Sequence, residues 1–323
     1  MSAEFPQQFT AKIKSALPCL VLVYLRTMHV NGQLLRCFEG TSAASNPGTV
    51  ETIHGLPTSP ARRPAEPAGI VVIVPDAIGW ELRNTRALAD AYARRIPAVV
   101  LLPELMQGNA FPELLLTLND EIAAKSTSFL YRTFVLQPRR LFLLISHYIP
   151  FAFSLRPPVI VARLRTYLSA LKTDPPAPFP PGSSSASGTG PKIGLAGFCW
   201  GGKYAFLLSH PPPTGGENPV NVSFTAHPSL VSVPADITPV HVPLSLATGV
   251  TDEWMKREDI AECRRVLEAK GNCEVRMYDG ATHGFAVRGD PNDERQARFG
   301  MEAEDQAVAW FKKHFALVAD GAN

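Results

Sequence analysis

The apolar run Lys192-Ile-Gly-Leu-Ala-Gly-Phe198 passes through Cys199-Trp-Gly201-Gly202 into a stretch rich in Ala, Phe and Leu that ends at Ser209. An unbroken run of this kind predicts a strand buried on both faces, and Gly201 to Ser209 predicts a helix. No loop separates them, so the chain must turn sharply at residue 199. Glycines two residues either side, at 197 and 201, let the strand and helix backbones approach. Such a turn fits the nucleophile-elbow pattern G-x-nucleophile-x-G, with cysteine in the reactive position. The following helix N-terminus favours a thiolate at Cys199, and the Trp200 N–H points to where an oxyanion would form. The bland alternative is a strand-helix turn holding a buried structural cysteine.

Strands and helices of the same kind recur along the chain. Gly69 to Pro75 and Ala98 to Leu102 predict buried parallel strands, and Thr85 to Ile96 between them has helical spacing, which makes a βαβ unit. Val220 to Ala226, Pro243 to Thr248 and Cys273 to Tyr278 predict further strands, and Ile260 to Lys270 and Met301 to Phe315 predict helices. This alternation implies an α/β fold with a mostly parallel central sheet flanked by helices. Residues 112–172 carry more apolar side chains than one crossover helix needs, so they read as crossover helix plus lid. The Pro-rich and then Ser/Gly-rich stretch 174–191 cannot form a packed element and reads as a surface loop. Strands resume beyond it. The expected organisation is therefore an N-terminal extension over 1–36 and a single domain over 37–323.

With 323 residues, 46% of them apolar, the chain can bury a sizeable core. Its net charge of +2 comes from scattered basic residues, which argues against nucleic acid as a partner. Five cysteines with no CxxC pair and no zinc-ligand spacing argue against a disulfide scaffold or structural metal, and free thiols suit a reducing, cytoplasmic location. The apolar runs Ala16 to Leu25 and Leu141 to Phe153 fall short of the roughly 20 residues that span a bilayer.

Two titratable residues follow predicted strands, where open α/β sheets assemble their sites. Asp252 lies just past Pro243 to Thr248, and His283 just past Cys273 to Tyr278. The order nucleophile, acid, histidine is that of α/β-hydrolases. Glu253 is the nearest rival acid.

These stretches resemble the dienelactone hydrolase family, in its longer eukaryotic form. The motifs are Cys37-Phe-Glu-Gly with Gly48-Thr-Val, Val74-Pro-Asp76-Ala-Ile-Gly79, Gly197-Phe-Cys-Trp-Gly-Gly202, Gly249 to Asp252 and His283-Gly-Phe285. The resemblance implies an α/β-hydrolase fold with Cys199 as nucleophile, Asp252 as acid and His283 as base. It also implies Ala77 as the second oxyanion donor beside Trp200. The family's thiol-controlling acid falls on Asp76, one methylene shorter than the glutamate of bacterial members; the lesser alternative is that Asp76 simply caps the next segment. Arg83, Arg86 and Arg288 lie where the family holds a substrate carboxylate, yet none falls cleanly on its position, and each reads more readily as a solvated surface arginine. His227 is either a pocket residue or an ordinary loop histidine.

The expected activity is hydrolysis of a lactone or activated enol ester through a thioester, as in a carboxymethylenebutenolidase-type carboxylic ester hydrolase, with no metal or organic cofactor. A thiol acyl transferase or redox protein, and a non-catalytic binding protein on the same fold, are the rivals.

Overall fold

The computed structural model describes residues 49–61, 64–180, 190–213, 215–289 and 293–316. The expected extension over 1–36, with Cys19, Cys37 and the run Ala16 to Leu25, lies outside these residues, as does most of the Ser/Gly-rich stretch.

Eight strands form one sheet: β1 (Glu51–Ile53), β2 (Leu56–Pro60), β3 (Gly69–Val74), β4 (Val99–Pro103), β5 (Lys192–Phe198), β6 (Val222–Ala226), β7 (Leu244–Gly249) and β8 (Glu274–Tyr278). Their spatial order is β1-β2-β4-β3-β5-β6-β7-β8. β1, β2 and β4 pair antiparallel and the remaining pairs are parallel. Strands β3, β4, β6 and β7 are buried along their whole length, which is why they read as continuous apolar or small-residue runs. β8 is an edge strand, and its largely exposed residues include Glu274 and Arg276, charges that discourage further pairing. The β1–β2 hairpin escapes a periodicity reading because its strands are short and interrupted by Pro57 and Pro60. It turns at His54-Gly55, both with positive φ (46° and 79°), as a tight two-residue hairpin requires.

Helices cover the sheet. In α1 (Arg83–Arg95), Thr85, Leu88, Ala89 and Tyr92 form the inward face. Between β4 and β5 the chain makes α2 (Leu114–Ala123), a single turn α3 (Phe129–Tyr131), a π-helical stretch Arg132–Leu136, α4 (Gln137–Ser154) and α5 (Pro157–Thr173). α5 is the packed crossover element, burying Ile160, Leu164, Tyr167, Leu168 and Leu171 against β5 and the helix after it. α4 is different: of its eighteen residues only Phe151 is buried. The chain continues with α6 (Trp200–Leu208), α7 (Arg257–Glu268), the short α8 (Phe285–Arg288) and α9 (Glu294–Ala316). α9 buries Phe299, Ala303, Ala307, Trp310, Phe311 and Phe315. Among the described residues, no helix is long and apolar enough to cross a membrane.

Candidate active site

β3 and β5 run parallel with Val74 opposite Gly197, and β5 and β6 with Phe198 opposite Ala226. Their carboxyl ends therefore bring together Asp76, Cys199 and His227, which are distant in sequence.

The elbow is tight. Cys199 has φ 51° and ψ −113°, a conformation that costs a non-glycine residue about 1–3 kcal/mol and persists only where its surroundings hold it. Three backbone bonds do so. Cys199 N–H donates to the Ala226 carbonyl (3.2 Å), and the Cys199 carbonyl accepts from Gly202 (3.0 Å) and Ser229 (2.9 Å). A Cβ at Gly197 would collide with the Gly201 backbone, one at Gly201 with the carbonyls of Val74 and Pro75, and one at Gly202 with Thr225 and Pro228. Each glycine is a point of close backbone approach. The thiol itself is fully buried, with Sγ 3.6 Å from the Ser229 hydroxyl.

Asp252 and His283 come from the loops after β7 and β8. Gly249 lets these loops touch, since a Cβ there would strike the Ala281 carbonyl, and Thr251 Oγ1 donates to that same carbonyl (3.3 Å). Asp252 is oriented by the Trp254 N–H (2.9 Å to Oδ1), and His283 Nδ1 lies 3.0 Å from both Asp252 oxygens. Both side chains are buried, whereas Glu253 is only half-buried. Burial disfavours the imidazolium, but the negative charges of the Cys199 thiolate and Asp252 outweigh it and raise the His283 pKa to about 9.

Asp76 Oδ1 accepts from the Ile78 N–H (3.0 Å), and Oδ2 lies 3.2 Å from Arg288 Nε. Burial pushes the Asp76 carboxyl up; Arg288 opposes this, and the nearby Cys199 charge adds to it. Asp76 is thus both the cap of its own turn and a neighbour of the thiol. Ala77, next in the chain, is buried, and its carbonyl accepts from the Phe111 N–H (2.9 Å). Trp200 occupies the first position of α6, whose N–H has no acceptor within the helix.

The arginines separate. Arg83 is exposed at the start of α1, and Arg86 donates from Nε to the Trp80 carbonyl (3.1 Å) with its guanidinium 5.0 Å from the Trp80 ring centroid. Arg288 is not a solvated surface arginine: its side chain is fully shielded and paired with Asp76, because α8 folds back toward the end of β3. His227 is fully buried, and among the described residues neither of its ring nitrogens has a hydrogen-bond partner. Its ring stands 5.2 Å from that of His283. Burial, reinforced by His283, holds its pKa well below the usual histidine value, so the ring is neutral near pH 7.

Two features escaped sequence reasoning. Ser229, two residues past His227, reaches the thiol only because the loop after β6 folds over the elbow. Phe151 of α4 packs on Trp200 (ring centroids 5.8 Å apart) and Phe111 (5.0 Å), so one side chain ties the long helix to the elbow. The spacing of apolar residues in 112–172 signalled extra helix but not which residue turns inward.

A mostly parallel eight-stranded sheet, with a strand-turn-helix elbow and a histidine-carboxylate pair beyond its carboxyl edge, defines an α/β-hydrolase fold. Residues 183–315 match the model of the dienelactone hydrolase family. Among curated proteins it is 34% identical over 125 residues to Hydrolase tropI of Talaromyces stipitatus, which covers 38% of this chain and 46% of that one. The alignment therefore spans less than half the length of that relative. It is 26% identical over 246 residues to Hydrolase pyvD of Aspergillus violaceofuscus, covering 76% and 80%. The crystal structure of dienelactone hydrolase from Anabaena variabilis matches with a TM-score of 0.51 and 15% identity, over 84% of this chain and 98% of that one, a likeness of fold.

Proposed function

We propose that the protein hydrolyses lactones or activated enol esters through a thioester on Cys199. The observation that carries this reading is the buried Asp252–His283 pair (3.0 Å), with a ring that interacts electrostatically with the elbow thiol. Asp252 holds the Nδ1 proton in place, leaving Nε2 to take the thiol proton. The thiolate attacks the ester carbonyl, and the Trp200 and Ala77 N–H groups receive the developing oxyanion. Collapse breaks the ester C–O bond; the enolate leaves with the proton from His283, and water then cleaves the thioester by the reverse proton path. A thiolate is itself a good leaving group, so substrates with enol-type leaving groups suit it better than amides or unactivated esters.

Asp76, pushed up by burial and held by Arg288, tunes the charge near the thiol, and Arg288 can meet a substrate carboxylate only if that pair opens. The neutral ring of His227 lines the substrate side of the thiol. Arg83 and Arg86 are the weaker contacts for a substrate carboxylate. Within residues 112–172 the segment before the crossover helix α5 acts as a lid, and Phe151 on Trp200 favours bulkier or more apolar esters. The redox alternative finds less support: Cys263 lies in a separate apolar cluster with Phe206, Leu244 and Leu246, Cys273 packs against it, and burial pushes the Cys263 thiol up to about 12. A reducing, cytoplasmic setting suits the reactive thiol.

The test is hydrolysis of p-nitrophenyl acetate and a panel of enol lactones by the protein and by its Cys199→Ala and Cys199→Ser variants. Activity lost in Cys199→Ala and blocked by iodoacetamide supports the reading. Activity unchanged in Cys199→Ala sinks it.

A further inference from the structure

Most of the exposed large apolar side chains of the described residues lie on one element, the helical run from Phe129 to Phe153. Phe134, Phe142, Ile145, Ile149 and Phe153 recur along it at helical spacing, and the three phenylalanines are 70%, 71% and 69% exposed. A monomeric protein rarely leaves such a stripe in water without a partner for it. Within the run itself the charge is one-sided, the exposed Asp120 and Glu121 lying just before it at the end of α2. From Ile122 to Thr173 the sequence contains no aspartate or glutamate, while Lys125, Arg132, Arg139 and Arg156 lie in or beside the helix; Arg140 is part-buried and donates to Asn119 Oδ1 (3.2 Å). Arg139 stands one turn before Phe142 on the same side.

We propose that this face seats the protein on an anionic phospholipid surface, with the phenylalanine and isoleucine side chains in the headgroup–acyl boundary and the arginines at the phosphates. A helix with an apolar face flanked by cations is the form that lies in a bilayer interface without spanning it. A second copy of the chain fits less well: a two-fold contact would set each basic helix against its twin. A nucleic acid would satisfy the arginines but leave the phenylalanines in water. Phe151, on the inner side of the same helix, packs on Trp200, so the docking face and the elbow lie on opposite sides of one helix. The binding claim stands apart from the hydrolase reading, and its test uses no activity.

The full chain is sedimented with phosphatidylcholine vesicles and with phosphatidylcholine/phosphatidylserine vesicles, at low and high salt. It is expected to bind the anionic vesicles, more weakly as salt rises, and to lose at least about 10-fold in partitioning in the double variant Phe142→Glu/Ile149→Glu. These side chains are exposed, so the variant should keep the circular dichroism spectrum and melting temperature of the parent. If it does not fold, Arg139→Glu alone is expected to lower binding to anionic vesicles several-fold. Absence of binding to anionic vesicles overturns the proposal. So does binding that a folded Phe142→Glu/Ile149→Glu variant retains, or a solution dimer of the parent that this variant abolishes without any effect on vesicles.

Discussion

Asp76 Oδ2 and Arg288 Nε lie 3.2 Å apart with both side chains almost wholly shielded from water. The two residues are more than two hundred positions apart in the chain, yet they form the ion pair beside the candidate nucleophile. Removing one member strands a buried charge. Arg288→Met is expected to destabilise the fold by about 3–5 kcal/mol, whereas the double variant Asp76→Asn/Arg288→Met should recover most of that loss. Urea unfolding of the two single variants and the double variant measures the coupling. A strictly additive result would show that the pair contributes nothing as a pair.

Asp252→Asn keeps the shape of the site but removes the carboxylate that selects the His283 tautomer and stabilises its imidazolium. The expected loss in kcat is about 100- to 10,000-fold with little change in KM. The same substitution should slow alkylation of Cys199 by iodoacetamide at neutral pH, because the histidine then holds the thiol proton less well. Steady-state kinetics and timed mass spectrometry follow the two effects separately.

The His283 pKa of about 9 lies above its ordinary value of 6.5. Between these values the folded chain retains a proton that the unfolded chain has released. The stabilisation is therefore complete below about pH 6.5 and disappears as pH rises through about 9. Relative to His283→Gln, the parent protein should lose its stability advantage over that interval in pH-resolved urea melts. An advantage that instead grows with pH would show that His283 is held neutral.

Gly201→Ala tests the elbow as a packing device. Its Cβ would collide with the Val74 carbonyl and lie 2.6 Å from that of Pro75, and neither strand end can retreat without disturbing the β3–β5 pairing. A destabilisation of about 3 kcal/mol or more is expected, with loss of thiol alkylation selectivity at Cys199. Thermal unfolding and peptide mapping check both.

How much of this was legible beforehand depended on whether the deciding physics was local. Gly69–Val74 and Ile193–Phe198 could be recognised as central strands because both faces are buried, so every position along each must be apolar or small. The glycines at 197 and 201 marked the elbow because backbone contact leaves no room for a side chain. Asp252 and His283 were singled out by their places just past strand ends, a matter of order along the chain. The β1–β2 hairpin was missed because its short, proline-containing strands carry no period; β2 is held by pairing with β4 and by the contact of Thr58 with Tyr167. Nothing in the spacing of Arg288 tells that it is buried, since only the return of α8 toward the end of β3 supplies Asp76 as its partner. Ser229 reaches Cys199, and Phe151 reaches Trp200, through loops and helix packing that no local pattern encodes. The sequence by itself determined the parallel strands, the elbow and the order of the candidate site residues, through burial and backbone sterics acting on neighbours. Tertiary structure alone decided which charges meet and which apolar face stays exposed, because those are contacts between segments far apart in the chain.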